Sequence, residues 1–129
     1  MNEREKIIFD LVREELADSF IPDSYRYLVD NRFCGHCHHA SLAMYCLLGG
    51  KDKGYRLQKA VDEKGINHYW LVNSENEIID PTIEQYIELN RPTPYNRVQD
   101  NRASYRKTRA TKTIIKNVES KLPKALDKF

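Results

Sequence analysis

The sequence is poor in cysteine and in long apolar runs, and each shortage excludes a class of protein. Its 129 residues contain three cysteines, an odd number that cannot form a complete disulfide framework. No apolar run approaches the roughly 20 residues that span a bilayer. The N-terminal stretch MNEREKIIFDLVREELADSF is charged throughout, which is not the pattern of a signal peptide. We therefore expect a cytoplasmic protein that does not associate with a membrane.

Internal repeats and low-complexity tracts are absent as well. A chain of this length can bury a sizeable core, so we expect residues 1–129 to form a single domain.

The net charge of +2 is unevenly distributed: residues 1–96 contain 11 Lys/Arg and 16 Asp/Glu, whereas residues 97–124 contain nine Lys/Arg and two Asp/Glu. A basic segment on a mildly acidic body indicates an intramolecular contact or an anionic partner, such as a small ligand or nucleic acid.

Hydrophobic spacing predicts helices at both ends of the chain and a small sheet in the middle. Apolar residues between Ile7 and Phe20 recur at helical spacing, and a second predicted helix ends at Gly49-Gly50. This second helix is predicted at Cys37–Leu48, and helical spacing predicts two more at Ile83–Leu89 and Tyr105–Leu122. Alternation and turn signals predict strands at Tyr55–Val61, Asn67–Asn73 and Glu77–Asp80. This order predicts an α+β fold with an antiparallel sheet.

Residues 33–41, FCGHCHHAS, match several kinds of site. CGHC is the active-site tetrapeptide of disulfide isomerases, but the preceding RYLVDNRF is too polar for the central strand that such a motif follows. CxxCH is the attachment motif of c-type haem, which is disfavoured because no export signal is present. A structural zinc site usually needs a second pair of ligands besides Cys34 and Cys37. We therefore expect neither a metal nor a cofactor.

A nucleophilic thiol is the remaining interpretation of this stretch. Cys37 is predicted at the start of a helix, where the positive end of the helix dipole and the unpaired N–H groups favour a thiolate. Cys34 precedes the helix and is either a second choice of nucleophile or a redox partner of Cys37. Cys46 lies in the middle of the same helix and is predicted to be an inert core thiol.

A cysteine nucleophile needs a base from another element of the structure. His68 lies at the start of one predicted strand and Asp80 at the end of the next. If an odd number of residues forms the hairpin loop, the two side chains share a face of the sheet. Asp80 would then fix one imidazole nitrogen and leave the other for the thiol. A two-residue loop would separate them onto opposite faces.

The chain order of these residues resembles that of the papain-like and transglutaminase-like cysteine hydrolase superfamily. The segments Gly35–Gly50, Asn67–Val72 and Ile78–Thr82 are also similar to small phage and prophage proteins with the pattern GHCxxA…H…DPT. The likeness covers roughly Phe33–Gln85. It implies a minimal papain-like core in which Cys37 is the nucleophile, His68 the base and Asp80 the orienting residue. The chain is far shorter than papain-type enzymes and lacks their second lobe.

The same resemblance suggests which residues contact a substrate. Papain-type enzymes place a glutamine six residues before the nucleophile, and here that position is Asn31. Asn31 and the N–H of Cys37 would stabilise an oxyanion. His36 would lie beside the site, and Trp70, on the same predicted face as His68, would form a wall of the pocket.

Two functions follow from these observations. The first is a cysteine-nucleophile hydrolase or an acyl/glycosyl-type transferase that acts on a small molecule or a peptide or amide bond. A phage origin would place it in the host cytoplasm, in host takeover or counter-defence. The second is a non-catalytic binding module that holds an anionic ligand or nucleic acid through the pocket and the basic C-terminal helix.

Overall fold

The computed structural model describes residues 1–17, 20, 36–88, 90–98 and 102–126; Asn31 and Cys34 lie outside these ranges. It confirms the α+β prediction, with helices at both ends of the chain and a three-stranded antiparallel sheet. The helices are α1 (Glu3–Glu14), α2 (Cys37–Leu47), α3 (Glu84–Ile87) and α4 (Arg109–Leu126), and the strands are β1 (Arg56–Val61), β2 (Asn67–Val72) and β3 (Ile78–Ile79). In the described part of the chain, no helix combines the length and apolarity of a membrane span.

The sheet has the order β1–β2–β3, so β2 is the central strand. Val72 of β2 pairs with Ile78 of β3, which leaves five residues in the connection between them. This number is odd, as the pairing of His68 with Asp80 requires. Because side chains alternate between the two faces of a strand, His68 and Asp80 share one face of the sheet.

The two faces of the sheet pack against different elements. Tyr69 and Leu71 of β2 belong to the main core, which α1, α2 and α4 complete. His68 and Trp70 alternate with them and lie on the opposite face, where Trp70 packs with Tyr95 and with residues of β1. His68 and Asp80 are therefore outside the main core, in a smaller layer covered by the chain that follows β3.

Polar contacts connect α1 to the sheet and to α4. The side chain of Asn2 accepts a hydrogen bond from the N–H of Glu5, and the side chain of Glu5 accepts one from the N–H of Asn2. Glu5 also accepts a 2.7 Å hydrogen bond from the hydroxyl of Tyr55. At the other end of α1, Glu15 forms an ion pair with Lys121 at 2.6 Å. These contacts fix α1 at both ends.

The last helix begins later than predicted, at Arg109 rather than at Tyr105. The hydroxyl of Thr108 accepts a hydrogen bond from the N–H of Thr111, which is the contact of an N-cap residue and sets the start of the helix. Tyr105 lies instead beside the outer edge of β1. Its hydroxyl accepts a 3.0 Å hydrogen bond from the N–H of Leu57 and contacts the carbonyl oxygen of the same residue at 3.4 Å. A tertiary contact thus replaces the first predicted turn of the helix.

Candidate active site

Cys37 is the first residue of α2, as the sequence predicts. His36 occupies the N-cap position and makes no side-chain capping hydrogen bond. The thiol is half-buried, and its sulfur lies 3.7 Å from the carbonyl oxygen of Asn67, the residue that precedes His68. A helix start offers unpaired N–H groups and the positive end of the dipole. The nucleophile candidate therefore lies at the start of a helix, beside the strand that carries the base candidate.

His68 and Asp80 form a buried hydrogen bond. The Nε2 atom of His68 lies 2.6 Å from Oδ2 of Asp80, and the two residues are 0% and 6% exposed. The shared face of the sheet explains this contact, because the two positions are diagonal neighbours across β2 and β3. When Nε2 donates to the carboxylate, Nδ1 is the nitrogen that remains for proton transfer.

The carboxylate of Asp80 has three further contacts. Oδ2 accepts a 2.7 Å hydrogen bond from the hydroxyl of Tyr95, while Oδ1 accepts from the N–H of Thr82 at 3.1 Å and from its hydroxyl at 3.4 Å. Burial and the charge of Asp80 raise the pKa of Tyr95, so its hydroxyl stays protonated and remains a donor. Donors on both oxygens fix the carboxylate and stabilise its charge.

Aromatic rings enclose the imidazole of His68. Trp70 stacks on it at 5.7 Å between ring centroids, and Tyr86 approaches with a T-shaped contact at 4.7 Å. The hydroxyl of Tyr86 donates to Asp62 at 2.9 Å, and Arg91 forms an ion pair with the same carboxylate at 2.7 Å. The ring therefore has little freedom to turn away from Asp80.

The second ring nitrogen of His68 also has a neighbour. The Nε2 atom of Gln85 lies 2.7 Å from Nδ1. Gln85 is half-buried on α3, the short helix that follows Asp80. Both imidazole nitrogens thus have a hydrogen-bond partner from the segment that follows β2.

The environment of His68 favours the imidazolium. Burial by itself would lower its pKa, because it penalises the charged form. The hydrogen bonds with Asp80 and Cys37 and the electrostatic interactions with both groups outweigh that effect and raise the pKa of His68 to about 9. Cys37, His68 and Asp80 are therefore brought together and electrostatically coupled.

The other substrate-contact candidates are placed differently. His36 is fully buried and hydrogen-bonds with His39. Burial and the neighbouring imidazoles lower the pKa of His39 to about 3, so it is neutral at pH 7. Trp70 is also fully buried, and its indole N–H donates to Gln58 at 2.9 Å. In this conformation His36 and Trp70 present no surface to a ligand, and Trp70 supports the imidazole instead. Asn31, the predicted oxyanion donor, lies outside the described residues.

Three residues of the site are absent from the sequence predictions: Gln85, Tyr86 and Tyr95. The first two lie on a predicted short helix whose side chains carry no motif. Tyr95 lies in the proline-containing stretch RPTPYN, whose path over the sheet follows from tertiary packing. The nearest sequence signal is Asp80-Pro81, which indicates that the chain turns there and returns towards the sheet.

One other surface is relevant to binding. A groove of about 830 Å³ lies near the far end of α2 and is lined by basic and acidic side chains alike, including Arg4, Lys53, Glu75 and Glu77. Its lining does not include Cys37. Cys46, which does line it, is a half-buried thiol whose pKa is raised by burial.

Among the described residues, no group of three or more His, Cys, Asp or Glu side chains is arranged to hold a metal ion.

In comparisons with protein-family models, curated proteins and solved structures, nothing matched this chain. The papain-like assignment therefore remains an interpretation of the sequence pattern.

Proposed function

We propose that this chain is a cysteine-nucleophile hydrolase or an acyl/glycosyl-type transferase, with Cys37 as nucleophile, His68 as general base and acid, and Asp80 as the orienting residue. The observation that supports this most directly is the buried imidazole of His68, which is hydrogen-bonded to Asp80 and electrostatically coupled to Cys37. A papain-like assignment agrees with the chain order of the three residues and with the position of Cys37 at a helix start.

The proposed reaction begins with transfer of the thiol proton from Sγ of Cys37 to Nδ1 of His68. The thiolate attacks an electrophilic carbon, and the imidazolium then gives its proton to the leaving group. Water or another acceptor, deprotonated by His68, cleaves the bond between sulfur and carbon and restores the thiol. Asp80 stabilises the imidazolium formed in each half of the reaction. The N–H of Cys37 and, from the sequence, Asn31 are the proposed donors to the oxyanion.

The proposed substrate is a small molecule or a peptide or amide bond. The resemblance to small phage and prophage proteins supports a role in host takeover or counter-defence, in the cytoplasm of the host. The same resemblance is the basis for proposing a minimal papain-like scaffold that lacks the second lobe of papain-type enzymes.

Alkylation by iodoacetamide tests the nucleophile. We expect Cys37 to react about ten times faster than Cys46 at pH 6.5, because thiolate is the reactive form and Cys37 is coupled to an imidazolium. Cys46 is the internal control, since it is half-buried on the same helix. Mass spectrometry of the digested protein gives the rate at each thiol. A His68→Gln substitution is expected to remove the difference between the two rates.

The enzyme proposal is contradicted if Cys37, Cys46 and Cys34 react at similar rates and only near pH 8.5, the ordinary range of a thiol. Equal rates in the wild type and in the His68→Gln variant would contradict the role of His68. A pH–rate profile from pH 5 to pH 9 distinguishes these outcomes, because it gives the midpoint of thiolate formation at each position.

A second candidate function is a non-catalytic module that binds an anionic ligand or nucleic acid. The observation in its favour is the exposed basic face of α4, formed by Arg109, Lys112 and Lys116. Their spacing places them on one side of the helix. Binding of this kind weakens steeply as salt increases. The mixed charge of the groove near Arg4 gives no comparable preference for an anion.

Fluorescence anisotropy with a labelled DNA duplex at 50 and 200 mM salt tests this candidate. We expect a steep loss of affinity with salt and a further loss in the Lys112→Glu/Lys116→Glu variant. Lys6→Glu, an exposed change on α1, is the control. Affinity that is undetectable at 50 mM salt, or equal in all variants, would exclude nucleic acid as the ligand of this face.

A further inference from the structure

Two hydrogen bonds converge on one oxygen of Asp80. The Nε2 atom of His68 lies 2.6 Å from Oδ2, and the hydroxyl of Tyr95 donates to the same atom at 2.7 Å. Burial and the charge of Asp80 raise the pKa of Tyr95, so the hydroxyl keeps its proton and the carboxylate oxygen accepts. The imidazole N–H and the tyrosine hydroxyl therefore share the negative charge of a single oxygen.

The sharing of Oδ2 affects how tightly His68 holds its proton. Its pKa of about 9 means that the imidazolium is the form present at pH 7. A general acid works best when its pKa lies near the pH of the reaction, so a proton held this tightly is released slowly. A second donor on Oδ2 stabilises the carboxylate in its own right and lessens what the carboxylate gains from the imidazolium. The hydroxyl of Tyr95 thus acts against the tight binding of the proton.

The ring of Tyr95 is held by a contact of its own. It packs on Trp70 in a T-shaped arrangement at 5.0 Å between ring centroids. Trp70 in turn stacks on the imidazole of His68. The hydroxyl therefore reaches Oδ2 from a ring whose position is set by the same aromatic group that supports the imidazole.

We propose that Tyr95 is a positioning residue that shares Oδ2 of Asp80 with His68, weakens the attraction of the carboxylate for the imidazolium, and so eases release of the proton to the leaving group. This inference rests on the proposed function, in which the imidazolium gives its proton to the group that the thiolate displaces. The proton leaves from Nδ1, and the hydrogen bond between Nε2–H and Asp80 is kept.

A Tyr95→Phe variant tests this role, because it keeps the ring on Trp70 and removes only the hydroxyl. We expect His68 to bind its proton about threefold more tightly, so that its pKa, measured in ¹⁵N-histidine spectra, lies about 0.5 above the wild-type value. Tyr45→Phe is the matched control. It removes a hydroxyl that accepts from the N–H of Lys51 at the C-terminal end of α2, and it is expected to leave the pKa of His68 unchanged.

A second variant tests whether the shared oxygen matters. The hydroxyl of Thr82 donates to Oδ1, the other oxygen of the carboxylate, at 3.4 Å. Thr82→Val removes that donor with little change of shape, and we expect it to raise the pKa of His68 by less than half as much as Tyr95→Phe. Cys37 and Tyr86, which also face the ring, are unchanged in both variants. Equal effects would contradict a role that depends on sharing Oδ2.

The direction of the pKa change separates this role from a merely structural one. A lower pKa of His68 in Tyr95→Phe would mean that the hydroxyl only holds the carboxylate against the imidazole. An unchanged pKa would mean that it does not affect the pair, and either result overturns the inference. The thermal unfolding midpoint of each variant shows that the spectra compare folded proteins.

The proposed function fails or stands on a different measurement. If alkylation of Cys37 in the wild type does not depend on His68, the proposed function fails whatever the pKa of His68 does. If alkylation depends on His68 and the pKa does not rise in Tyr95→Phe, the role assigned to Tyr95 is wrong while the proposed function stands.

Discussion

At the scale of single residues, the carboxylate of Asp80 has more partners than a turn residue needs. It receives hydrogen bonds from His68 and Tyr95 on one oxygen and from Thr82 on the other. An Asp-Pro turn would need only the contact to Thr82. The additional donors on the other oxygen fix the carboxylate in the orientation that holds the imidazole.

An Asp80→Asn variant separates the charge of this side chain from its shape. We expect slower alkylation of Cys37 at pH 6.5 and a lower pKa of His68, because the charge that stabilises the imidazolium is lost. The free energy of unfolding is expected to fall by about 1–3 kcal/mol, as a buried hydrogen-bonding group loses its partner. Asp52→Asn, an exposed change, is the control. Unchanged alkylation in Asp80→Asn would argue that the carboxylate is only structural.

From the sequence, the pairing of His68 with Asp80 could be predicted only on the condition that an odd number of residues connects the two strands, which the register of β2 and β3 fulfils. When the number of connecting residues between the two antiparallel strands is odd, the side chains of His68 and Asp80 lie on the same face of the sheet. The contacts of Gln85 and Tyr95 could not be predicted in this way. They depend on how the chain after Asp80 crosses the sheet, and no local pattern encodes that path.

At the scale of secondary structure elements, α1 depends on its first turn. Asn2 and Glu5 exchange hydrogen bonds there, and Glu5 also accepts a hydrogen bond from the hydroxyl of Tyr55, the residue before β1. The helix thus begins at a contact with the sheet. Most helices of this length are marginal alone and gain their stability from such packing.

An Asn2→Ala variant should be less stable by about 1 kcal/mol, the usual cost of a lost N-cap. Equilibrium unfolding in urea, followed by circular dichroism, measures the change. Lys6→Ala, at an exposed position of the same helix, is expected to stay within about 0.5 kcal/mol of the wild type. An equal loss in both variants would mean that the cap contributes nothing specific.

The elements themselves differ in how well the sequence predicts them. The helix α2 begins at Cys37 as predicted, and it ends close to Gly49-Gly50, where Gly49 has a φ of 102° that glycine adopts at low cost. The start of α4 was predicted one turn early because Tyr105 fits the helical period. Its hydroxyl is bound instead at the edge of β1, a contact between residues 48 positions apart along the chain.

At the scale of the whole molecule, the raised pKa of His68 makes folding depend on pH. A group whose pKa is raised on folding binds its proton more tightly in the folded state. Its stabilising contribution is complete below its ordinary pKa of about 6.5. It is lost as pH rises towards the folded value of about 9.

We therefore expect the wild type to lose stability between pH 6.5 and pH 9, by an amount on the order of 3 kcal/mol from this group. The reference is His68→Gln, in which this part of the pH dependence is absent. Urea unfolding of both proteins at several pH values gives the difference. A difference between the two proteins that stays constant from pH 6 to pH 9.5 would contradict the coupling of His68 to folding.

The contact of Tyr105 with Leu57 has a consequence for self-association. The outer strand of a sheet carries unpaired N–H and C=O groups on which a strand from another molecule can add. Here one tyrosine hydroxyl engages both groups of Leu57, and Val98 bridges to Ala60 on the same strand. A second copy would have to displace both before it could extend the sheet. The contacts of Tyr105 and Val98 with β1 thus also oppose edge-to-edge aggregation.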